Sequence, residues 1–276
     1  MERSETDIHH LVELLAHWEG KVNTTVLIKH IHMSRQQIQK YLKSYQQCHP
    51  DNLFYDKSLK GFTPNKGFTA QYISGDVNQY LDWVTNQSAV LSKAQQLSYT
   101  VLSIPKRQVS PLVMRGLVAA IKHKKRLDVE YSSLTSPQNQ GRIIQPHVFV
   151  KTGLRWHLRA YCEDKKQFRD FVLSRFRGRP ELLNAATHPG EHDHAWHTTV
   201  PLIFQADHRL SSAQKALIEQ DYQMQNGQLL VNTRAALAQY LLKELQVNTK
   251  FHDEKAEAQQ LVLVNKDDIK QWLFNA

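Results

Sequence analysis

The segment from Arg142 to Phe176 decides the fold of the middle of the chain, and it reads RIIQPHVFVKTGLRWHLRAYCEDKKQFRDFVLSRF. It contains two runs in which residues of different character alternate with a period of two. The first run sets two groups against each other: Arg155, His157, Arg159 and Tyr161 against Trp156, Leu158 and Ala160. The second run does the same: Arg169, Phe171, Leu173 and Arg175 against Asp170, Val172 and Ser174. Period-two alternation predicts β-strands with two unlike faces.

One face of the first predicted strand therefore carries two guanidinium groups, an imidazole and a phenol. Such groups on a rigid sheet suit the binding of an anion, whereas the alternative is a solvated face whose arginines pair with Asp or Glu. Residues 88–180 carry a net charge of +13, against zero for residues 1–87 and −4 for residues 181–276. The middle of the chain cannot neutralise its own arginines, so a polyanion, another domain or water must do so. This excess charge favours the anion site.

The composition limits the classes of protein that the chain can form. A length of 276 residues with 41% hydrophobic content suits two or three domains. There is no apolar run long enough for a membrane span, and the acidic start does not resemble a signal peptide. Cys48 and Cys162 lie far apart without metal-ligand spacing, which predicts reduced thiols in a cytoplasmic protein without a metal or cofactor. A pI near 9.4 is compatible with nucleic-acid binding.

The N-terminal third predicts a helix-turn-helix. Apolar residues at helical spacing predict a first helix over residues 8–18 that ends at Gly20, and a short second helix over residues 24–31. After a tight turn, Ser34 caps a third helix with the sequence SRQQIQKYLKSYQQ. The stripe of this helix that we expect to be buried consists of Ile38, Tyr41, Leu42 and Tyr45. Two helices joined in this way form the layout that places the second one in the DNA major groove.

The outer face of the third helix carries side chains that suit DNA. Gln can bridge adenine, Arg can fork onto guanine and Lys can neutralise phosphate. Two short aromatic strands then flank a loop that ends at Gly61, which is the pattern of a wing. The predicted DNA-binding residues are Ser34, Arg35, Gln36, Gln39, Lys40, Lys43, Lys57, Ser58 and Lys60.

The charge of this region is polarised. Residues 21–66 carry a net charge of +6, and residues 34–50 contain no acid. Helix-turn-helix shapes also serve as protein-docking modules, but this charge favours double-stranded DNA as the partner. A helix over residues 77–84 is predicted to close the domain, which we place at residues 1–87. The polar stretch over residues 88–110 is predicted to be a linker.

The middle of the chain predicts a helix over residues 112–123, then about four strands joined by short turns. This order suits a small, strongly curved sheet or barrel. Four motifs follow one another: YSSL at 131–134, RIIQPH at 142–147, RWHLRAY at 155–161 and FRDFVLSRF at 168–176. In this order they resemble the WYL domain, whose Trp-Tyr-Leu triplet is Trp156-His157-Leu158 here. The resemblance extends from Leu112 to about Leu183.

With its predicted winged helix and C-terminal extension, the chain resembles the WYL regulators found beside bacterial phage-defence operons, the BrxR and CapW type. The resemblance implies a Sm-like β-barrel that binds a nucleotide or nucleic-acid fragment and controls the DNA-binding domain of a homodimer. Carried over by motif, the ligand-binding residues are Tyr131, Ser132 or Ser133, His147, Arg155, His157, Arg159, Arg169 and Arg175. The expected core residues are Trp156, Leu158, Phe171 and Leu173. Arg126 and Arg142 belong either to the pocket or to the surface.

The last part of the chain begins with HPGEHDHAWH at residues 188–197, which brings four histidines together. Without a cysteine or a regular strand, this stretch predicts a flexible interdomain linker rather than a metal site. From Thr198 onward, strands and helices alternate three times, which predicts a small α/β domain. Its negative charge suits docking on the basic middle domain, and the resemblance implies that it dimerises.

The whole chain is therefore expected to be a multidomain α+β protein. The expected parts are a winged helix-turn-helix (1–87), a linker (88–110), a WYL ligand-sensing domain (111–187) and a C-terminal dimerisation domain (188–276). They predict a cytoplasmic, homodimeric transcriptional regulator, most simply a repressor, that reads an inverted-repeat operator and responds to a nucleotide or oligonucleotide effector.

Two other functions compete with this one. The first is a nuclease or nucleotide hydrolase, but the five acids of residues 88–180 form no metal-binding motif, and there is no GxxxxGK[ST] loop. The second is a nucleic-acid-binding scaffold without switching, which predicts that no small anion alters operator affinity. We expect no catalytic residue and no membrane association.

Overall fold

The computed structural model describes residues 4–31, 33–86, 100, 102, 104–138, 140–251 and 254–274. The chain divides into two compact units, residues 1–103 and residues 104–276. Within the described residues, no helix has the length and apolar character needed to span a membrane. Most of the predicted linker over residues 88–110 lies outside the described residues.

The first unit is a winged helix. Its elements are α1 (Glu5–Glu19), α2 (Thr24–Ile31), α3 (Arg35–Cys48), β1 (Leu53–Asp56), β2 (Gly61–Pro64) and α4 (Val77–Asn86). α1 begins at a capping box between Ser4 and Asp7 and ends at Gly20, whose φ of 71° is left-handed. The helices predicted for this region, including the capped third helix and the closing helix, are confirmed.

The core of the first unit forms where α1, α2 and α3 pack together. Ile8, Leu15, Leu27 and Ile38 are fully buried there, at 0% exposure. Each lies on the apolar stripe of its helix, so the periodicity of the sequence alone brings these faces together. The packing leaves the opposite face of α3 in solvent.

The second unit begins with α5 (Pro111–Lys122), which covers one face of an antiparallel sheet. The strands are β3 (Lys125–Tyr131), β4 (Gln140–Lys151), β5 (Trp156–Cys162), β6 (Gln167–Val172) and β7 (Phe176–Ala185), in the order β6-β5-β4-β3-β7. Leu117 of α5 packs with Leu127, Ile144 and Leu158 of the sheet. β6 and β7 are the two edge strands, and no ladder joins them in the described residues. The sheet is therefore open, and the Sm-like barrel is not shown.

The stretch FRDFVLSRF was predicted to be one strand, and this prediction was wrong. The structure breaks it with a 3₁₀ turn at Leu173–Arg175, after which β7 crosses to the far edge of the sheet and pairs with β3. Leu173 and Phe176 are both buried, at 7% and 4% exposure. A spacing of three between two inward side chains fits a 3₁₀ turn and not a strand. The sheet therefore has one strand more than predicted.

The rest of the second unit is a small domain around a three-stranded sheet. Its elements are α6 (His194–His197), β8 (Thr199–Ala206), α7 (Ser212–Asp221), β9 (Leu229–Arg234), α8 (Ala238–Glu244), β10 (Leu261–Leu263) and α9 (Lys266–Ile269). The strand order is β10-β8-β9, and both pairings are antiparallel. The domain is therefore of the α+β type rather than the predicted α/β type. Leu202, Phe204 and Leu242 are its fully buried centre.

The histidine-rich stretch over residues 188–197 is not a flexible linker. It forms a 3₁₀ turn at Gly190–His192 and then α6. Asp193 between them is 1% exposed and caps α6 by accepting a hydrogen bond of 3.2 Å from the amide of Trp196. This stretch is polar because Asp193 forms a buried polar contact with the sheet, where it binds Arg159 of β5.

Candidate nucleic-acid interface and anion site

The outer face of α3 is exposed and basic, and we call it the recognition face. It consists of Arg35, Gln36, Gln39, Lys40 and Lys43, which are all exposed, whereas Ile38, Leu42 and Tyr45 are buried beneath it. Among the described residues, no ion pair engages the three cations of this face. The side chains that the sequence assigned to DNA are thus available to an external partner.

Ser34 has a structural role at the start of α3. Its hydroxyl accepts a hydrogen bond of 3.3 Å from the amide of Gln37 and donates one of 2.9 Å to the Gln37 side chain. This is a capping box, which stabilises the first turn of the helix. Ser34 is exposed, but its hydroxyl is already engaged, so its predicted contact with DNA would compete with the cap.

A buried carboxylate holds α3 against the rest of the winged helix. Glu13 of α1 is fully buried and accepts hydrogen bonds from the Tyr45 hydroxyl at 2.8 Å and from the amide of Tyr72 at 2.8 Å. The side chain of Asn52, which precedes β1, donates to the same Tyr45 hydroxyl at 3.0 Å. Burial and the neighbouring Glu13 raise the pKa of Tyr45, so its hydroxyl stays a donor. The recognition face is therefore fixed relative to the wing.

The wing is the hairpin of β1 and β2, with Lys57, Ser58 and Lys60 exposed at its tip. The Asp56 carboxylate accepts hydrogen bonds from the amides of Leu59 at 3.0 Å and Ser58 at 2.7 Å, and these bonds lower the pKa of Asp56. Lys60 has a φ of 50°, a left-handed conformation that closes the loop before Gly61. The turn is thus held by the side chain of Asp56, and Lys57 and Lys60 form no ion pair within the described part of the chain.

The second basic surface is the polar face of β5, formed by His157, Arg159 and Tyr161 together with Arg155, which directly precedes the strand. The predicted alternation is confirmed at Leu158 and Ala160 of the opposite face, which lie in the core of the sheet. The prediction that Trp156 is also a core residue was wrong, because this side chain at the start of the strand is 48% exposed. The polar face, however, is covered rather than open: His157 is 3% exposed and Arg159 is 6% exposed. Its cover comes from the residues that follow β7.

Arg159 is neutralised within its own chain. Its guanidinium donates to Asp193 at 2.5 and 2.9 Å and to Asp170 of β6 at 3.1 Å. His147 of β4 donates to Asp193 at 3.0 Å. Burial raises the pKa of Asp193, but the hydrogen bonds from His147 and Arg159 lower it to about 2. Arg159, predicted to bind the ligand, therefore joins the sheet to the segment after it instead.

Two aromatic contacts extend this cover along the strand. The ring of Tyr161 stacks on His188 with the centroids 3.9 Å apart and the planes 2° apart. The ring of Tyr240 on α8 lies 5.0 Å from His157, and its hydroxyl donates to Asp170 at 3.0 Å. We call the contact between the polar face of β5 and the residues after β7 the seam. The negatively charged last third of the chain thus docks on the basic sheet.

His157 is the unusual residue of the seam. Neither ring nitrogen has a hydrogen-bond partner in the described structure, although the residue is buried. Burial lowers the pKa of His157, as do the positive charges of Arg155, Arg175 and Lys243, while Asp170 opposes them. The imidazole is therefore neutral at neutral pH.

Three of the other predicted ligand residues do not join this site. Tyr131 is 4% exposed, packs edge-on against Phe171 and accepts a hydrogen bond from the amide of Val172 at 3.0 Å, so it is a core residue. Arg169 pairs with Ala160 in the ladder and so lies on the opposite sheet face from the polar residues of β5. Ser133 accepts a hydrogen bond of 3.0 Å from the amide of Ser136 within a local turn.

Arg155, Arg175 and Ser132 remain candidates. Arg155 and Arg175 are half-buried and form no ion pair among the described residues. The amide of Ser132 donates to the carbonyl of Arg175 at 3.2 Å, which brings the end of β3 beside the 3₁₀ turn. His147, in contrast, is engaged by Asp193.

The two arginines whose location the sequence left open are now placed. Arg126 pairs bidentately with Glu163 at 2.7 and 2.6 Å. Arg142 is 9% exposed, and its guanidinium lies 5.6 Å from the centre of the Tyr131 ring. Asp193 and Tyr240 were not predicted to reach this site, because no local pattern marks a residue that meets a distant strand. The negative charge of the last third predicted only that this part of the chain docks on the basic sheet.

The fold and these two surfaces define a multidomain α+β protein in which a winged helix-turn-helix precedes an arginine-rich sheet and a small third domain. Family models match each part: the BrxR transcriptional regulator winged helix-turn-helix domain at residues 7–86, the WYL domain at residues 113–179 and the BrxR transcriptional regulator C-terminal dimerization domain at residues 199–269.

Curated relatives extend over nearly the whole chain. The DNA-binding transcriptional repressor CapW of Pseudomonas aeruginosa is 32% identical over 263 residues, which is 93% of this chain and 87% of that protein. CapW of Escherichia coli (strain KTE188) is 33% identical over 263 residues, covering 91% and 86%. CapW of Stenotrophomonas maltophilia is 25% identical over 268 residues, covering 95% and 90%. The chain therefore belongs to the family of BrxR- and CapW-type WYL-domain transcriptional regulators.

Proposed function

We propose that the chain acts as a homodimeric, DNA-binding transcriptional repressor that reads an inverted-repeat operator. The observation that carries this proposal is the recognition face, a row of exposed Arg, Gln and Lys side chains on a rigidly mounted helix. The relatives named CapW are DNA-binding transcriptional repressors, and the match to a dimerization domain supports two copies per operator. In a symmetric dimer, each winged helix meets one half-site.

In this proposal the recognition face contacts the bases of the DNA, and the wing contacts its phosphates. Arg35, Gln36 and Gln39 lie at the start of α3, where side chains reach base edges in the major groove. Lys57 and Lys60 at the wing tip suit phosphates, which fix register but carry no sequence information. Lys40 and Lys43 lie farther along α3 and add phosphate contacts.

We further propose that an anionic nucleotide or oligonucleotide controls DNA binding through the middle domain. Support comes from two cations near the start of β5, Arg155 and Arg175, which form no ion pair among the described residues, and from the ring of His157, whose nitrogens have no hydrogen-bond partner there. Arg159 acts in this proposal through the seam and not as a ligand contact. An effector of this kind shifts DNA affinity only if it binds two conformations of the dimer unequally.

The test is selection of DNA fragments from a random pool by the full-length protein, followed by gel shifts on the consensus. We expect a palindromic consensus and a large loss of affinity when Arg35, Lys40 and Lys43 are all changed to Ala. A matched control changes Lys165, Lys215 and Lys270 to Ala, which removes the same charge outside the winged helix. Wild-type operator affinity in the first triple variant would exclude α3 as the DNA-reading element.

A further inference from the structure

The helices α7 and α8 pack on one face of the three-stranded sheet of the third domain. Leu202 and Phe204 of β8 point towards that face and form the core of the domain with Ile218 of α7 and Leu242 of α8. Successive side chains of a strand point to opposite sides, so the residues between the core positions form a second face. We call this second face of β8, β9 and β10 the outer face.

A row of three apolar side chains crosses the outer face. In the ladder, Ile203 of β8 pairs with Leu230 of β9, and on the other side of Ile203 its carbonyl accepts a hydrogen bond of 2.9 Å from the amide of Val264. None of the three side chains belongs to the buried core of the domain. Leu230 is 59% exposed and Val264 is 46% exposed. A row of this kind lowers the free energy only when another surface covers it.

The outer face is almost free of charge. The positions next to the row carry the carboxamides of Gln205 and Asn232. Arg234 is the one ionisable residue among the described residues of the three strands, and its guanidinium donates to the carbonyl of Trp196 at 2.6 Å and lies 4.6 Å from the centre of that ring. A surface that meets its own copy across a two-fold axis brings like charges together, whereas carboxamides can both donate and accept. The outer face therefore suits self-association.

The contact with the middle sheet uses the other side of the third domain. α8 packs against the inner face through Leu242, and its Tyr240 reaches His157 and Asp170 of the seam. A partner on the outer face would therefore leave the seam intact. The third domain can hold the sheet of its own chain with its helices and a second molecule with its strands.

We propose that the outer face is the contact between two copies of this chain, in which the rows of Leu230, Ile203 and Val264 pack against each other across a two-fold axis. This proposal rests on the homodimer of the proposed function and names the surface that forms it. The match to the dimerization domain model spans residues 199–269 and so contains all three strands. An apolar centre with a polar rim is also the usual layout of an interface between proteins.

The experiment measures the Kd of the dimer by sedimentation equilibrium of the full-length protein. One double variant carries Leu230→Lys and Val264→Lys, and a second carries Leu230→Glu and Val264→Glu. Each double variant sets like charges against each other whichever way the two sheets cross. The matched control compares the single variants Leu230→Lys and Leu217→Lys. Leu217 of α7 is 58% exposed, nearly the same fraction as Leu230, but it lies on the helical side of the domain.

We expect each double variant alone to raise the Kd at least about a hundredfold, because like charges that face each other across an interface repel. An equimolar mixture of the two double variants should form a heterodimer, since each row then meets charges of the opposite sign. This recovery also shows that both double variants are folded. Leu230→Lys should raise the Kd measurably, whereas Leu217→Lys should stay within about twofold of wild type, as most surface substitutions do.

A wild-type Kd in both double variants overturns the proposal. So does a mixture that associates no better than either double variant alone, or an equal loss in Leu217→Lys and Leu230→Lys. A wild-type protein that stays monomeric at every concentration contradicts the homodimer of the proposed function itself. A dimeric wild type that the double variants do not disturb contradicts only the assignment of the outer face.

Discussion

The recognition face of α3 and the polar face of β5 are both rich in cations, but the protein uses the two in opposite ways. Arg35, Lys40 and Lys43 are exposed and form no ion pair with any residue that the structure describes, whereas Arg159 is buried against two carboxylates. Net charge alone would have ranked the second surface as the better binder of anions. Whether a basic face is available to an external anion depends on whether a later part of the chain covers that face.

The cations of the two surfaces also differ in what they contribute to the free energy of folding. An exposed cation keeps its hydration and contributes little to folding, so it remains free for a partner. A buried guanidinium loses its hydration and must be compensated by acids at hydrogen-bond distance. The seam therefore stabilises the second unit, and the proposed effector site is limited to the start of β5, where Arg155 and Arg175 form no ion pair among the described residues.

The largest effect is expected at the seam itself. Arg159→Met leaves Asp193 and Asp170 buried without their cation, and we expect the free energy of unfolding of the second unit to fall by about 3–5 kcal/mol. Adding Asp193→Asn to this variant should recover part of the loss, because it removes one uncompensated charge. Hydrogen exchange of the β5 amides in urea reports on this unit.

The control for that prediction is an exposed ion pair of the same unit. Lys124 and Glu191 lie 3.0 Å apart, with side chains 72% and 64% exposed. Glu191→Gln should lower the stability of the second unit far less than Arg159→Met does, because a solvated ion pair contributes little. Equal losses in Glu191→Gln and Arg159→Met would mean that the seam is open to water in solution.

The sequence predicted most of the fold, because its signals are local. Capping residues such as Ser34 and the apolar stripe of α3 determine that helix without help from elsewhere. The sequence did not predict where β6 ends and β7 begins. The alternating pattern continues through Leu173 and Arg175, although tertiary packing places a 3₁₀ turn there. A period-two pattern gives the face of a residue but not the place where a strand stops.

The candidate site was predictable to a lesser degree, for a similar reason. Periodicity correctly put His157 and Arg159 on one face of β5. It could not show that Arg169 of β6 pairs with Ala160 and therefore lies on the opposite face of the sheet. No pattern near Arg159 could reveal that Asp193, 34 positions later, would bind it. Exposed sites such as the recognition face need no partner from the chain, so they can be predicted from sequence more safely than covered ones.

The next effect in size concerns base recognition by α3. Arg35→Ala should weaken binding to the selected consensus by about 1–3 kcal/mol and relax preference at one base pair of each half-site, as expected for the loss of a fork onto guanine. Repeating the selection with the variant measures both. Loss of affinity on all sequences alike would reassign Arg35 to phosphate contact.

A smaller and less specific effect is expected at the wing. Lys57→Ala should weaken binding to consensus and random DNA equally and reduce the slope of log affinity against log salt by about one for each lysine removed. Gel shifts over a series of salt concentrations give this slope. Lys66→Ala, an exposed lysine just after β2, is the nearby control. A change confined to the consensus sequence would show that the wing reads bases.

The smallest effect is a pH dependence that belongs to the seam and has no counterpart on the recognition face. Burial lowers the pKa of His157 below the value of 6.5 that it has in the unfolded chain, with Arg155, Arg175 and Lys243 acting in the same direction and Asp170 against it. Below pH 6.5 the unfolded chain binds a proton that the folded protein excludes. The contribution of His157 to stability is therefore complete above pH 6.5 and is lost as the pH falls towards its folded value.

The measurement compares wild type and His157→Gln by urea unfolding of the second unit at several pH values between 7.5 and 5. Gln keeps a polar side chain of similar reach but does not titrate, so the variant should lose less stability on acidification than the wild type. His208→Gln, at a side chain that is 80% exposed, should follow the wild type. Identical pH profiles for wild type and His157→Gln would mean that the ring is solvated, in which case the seam would resemble the recognition face after all.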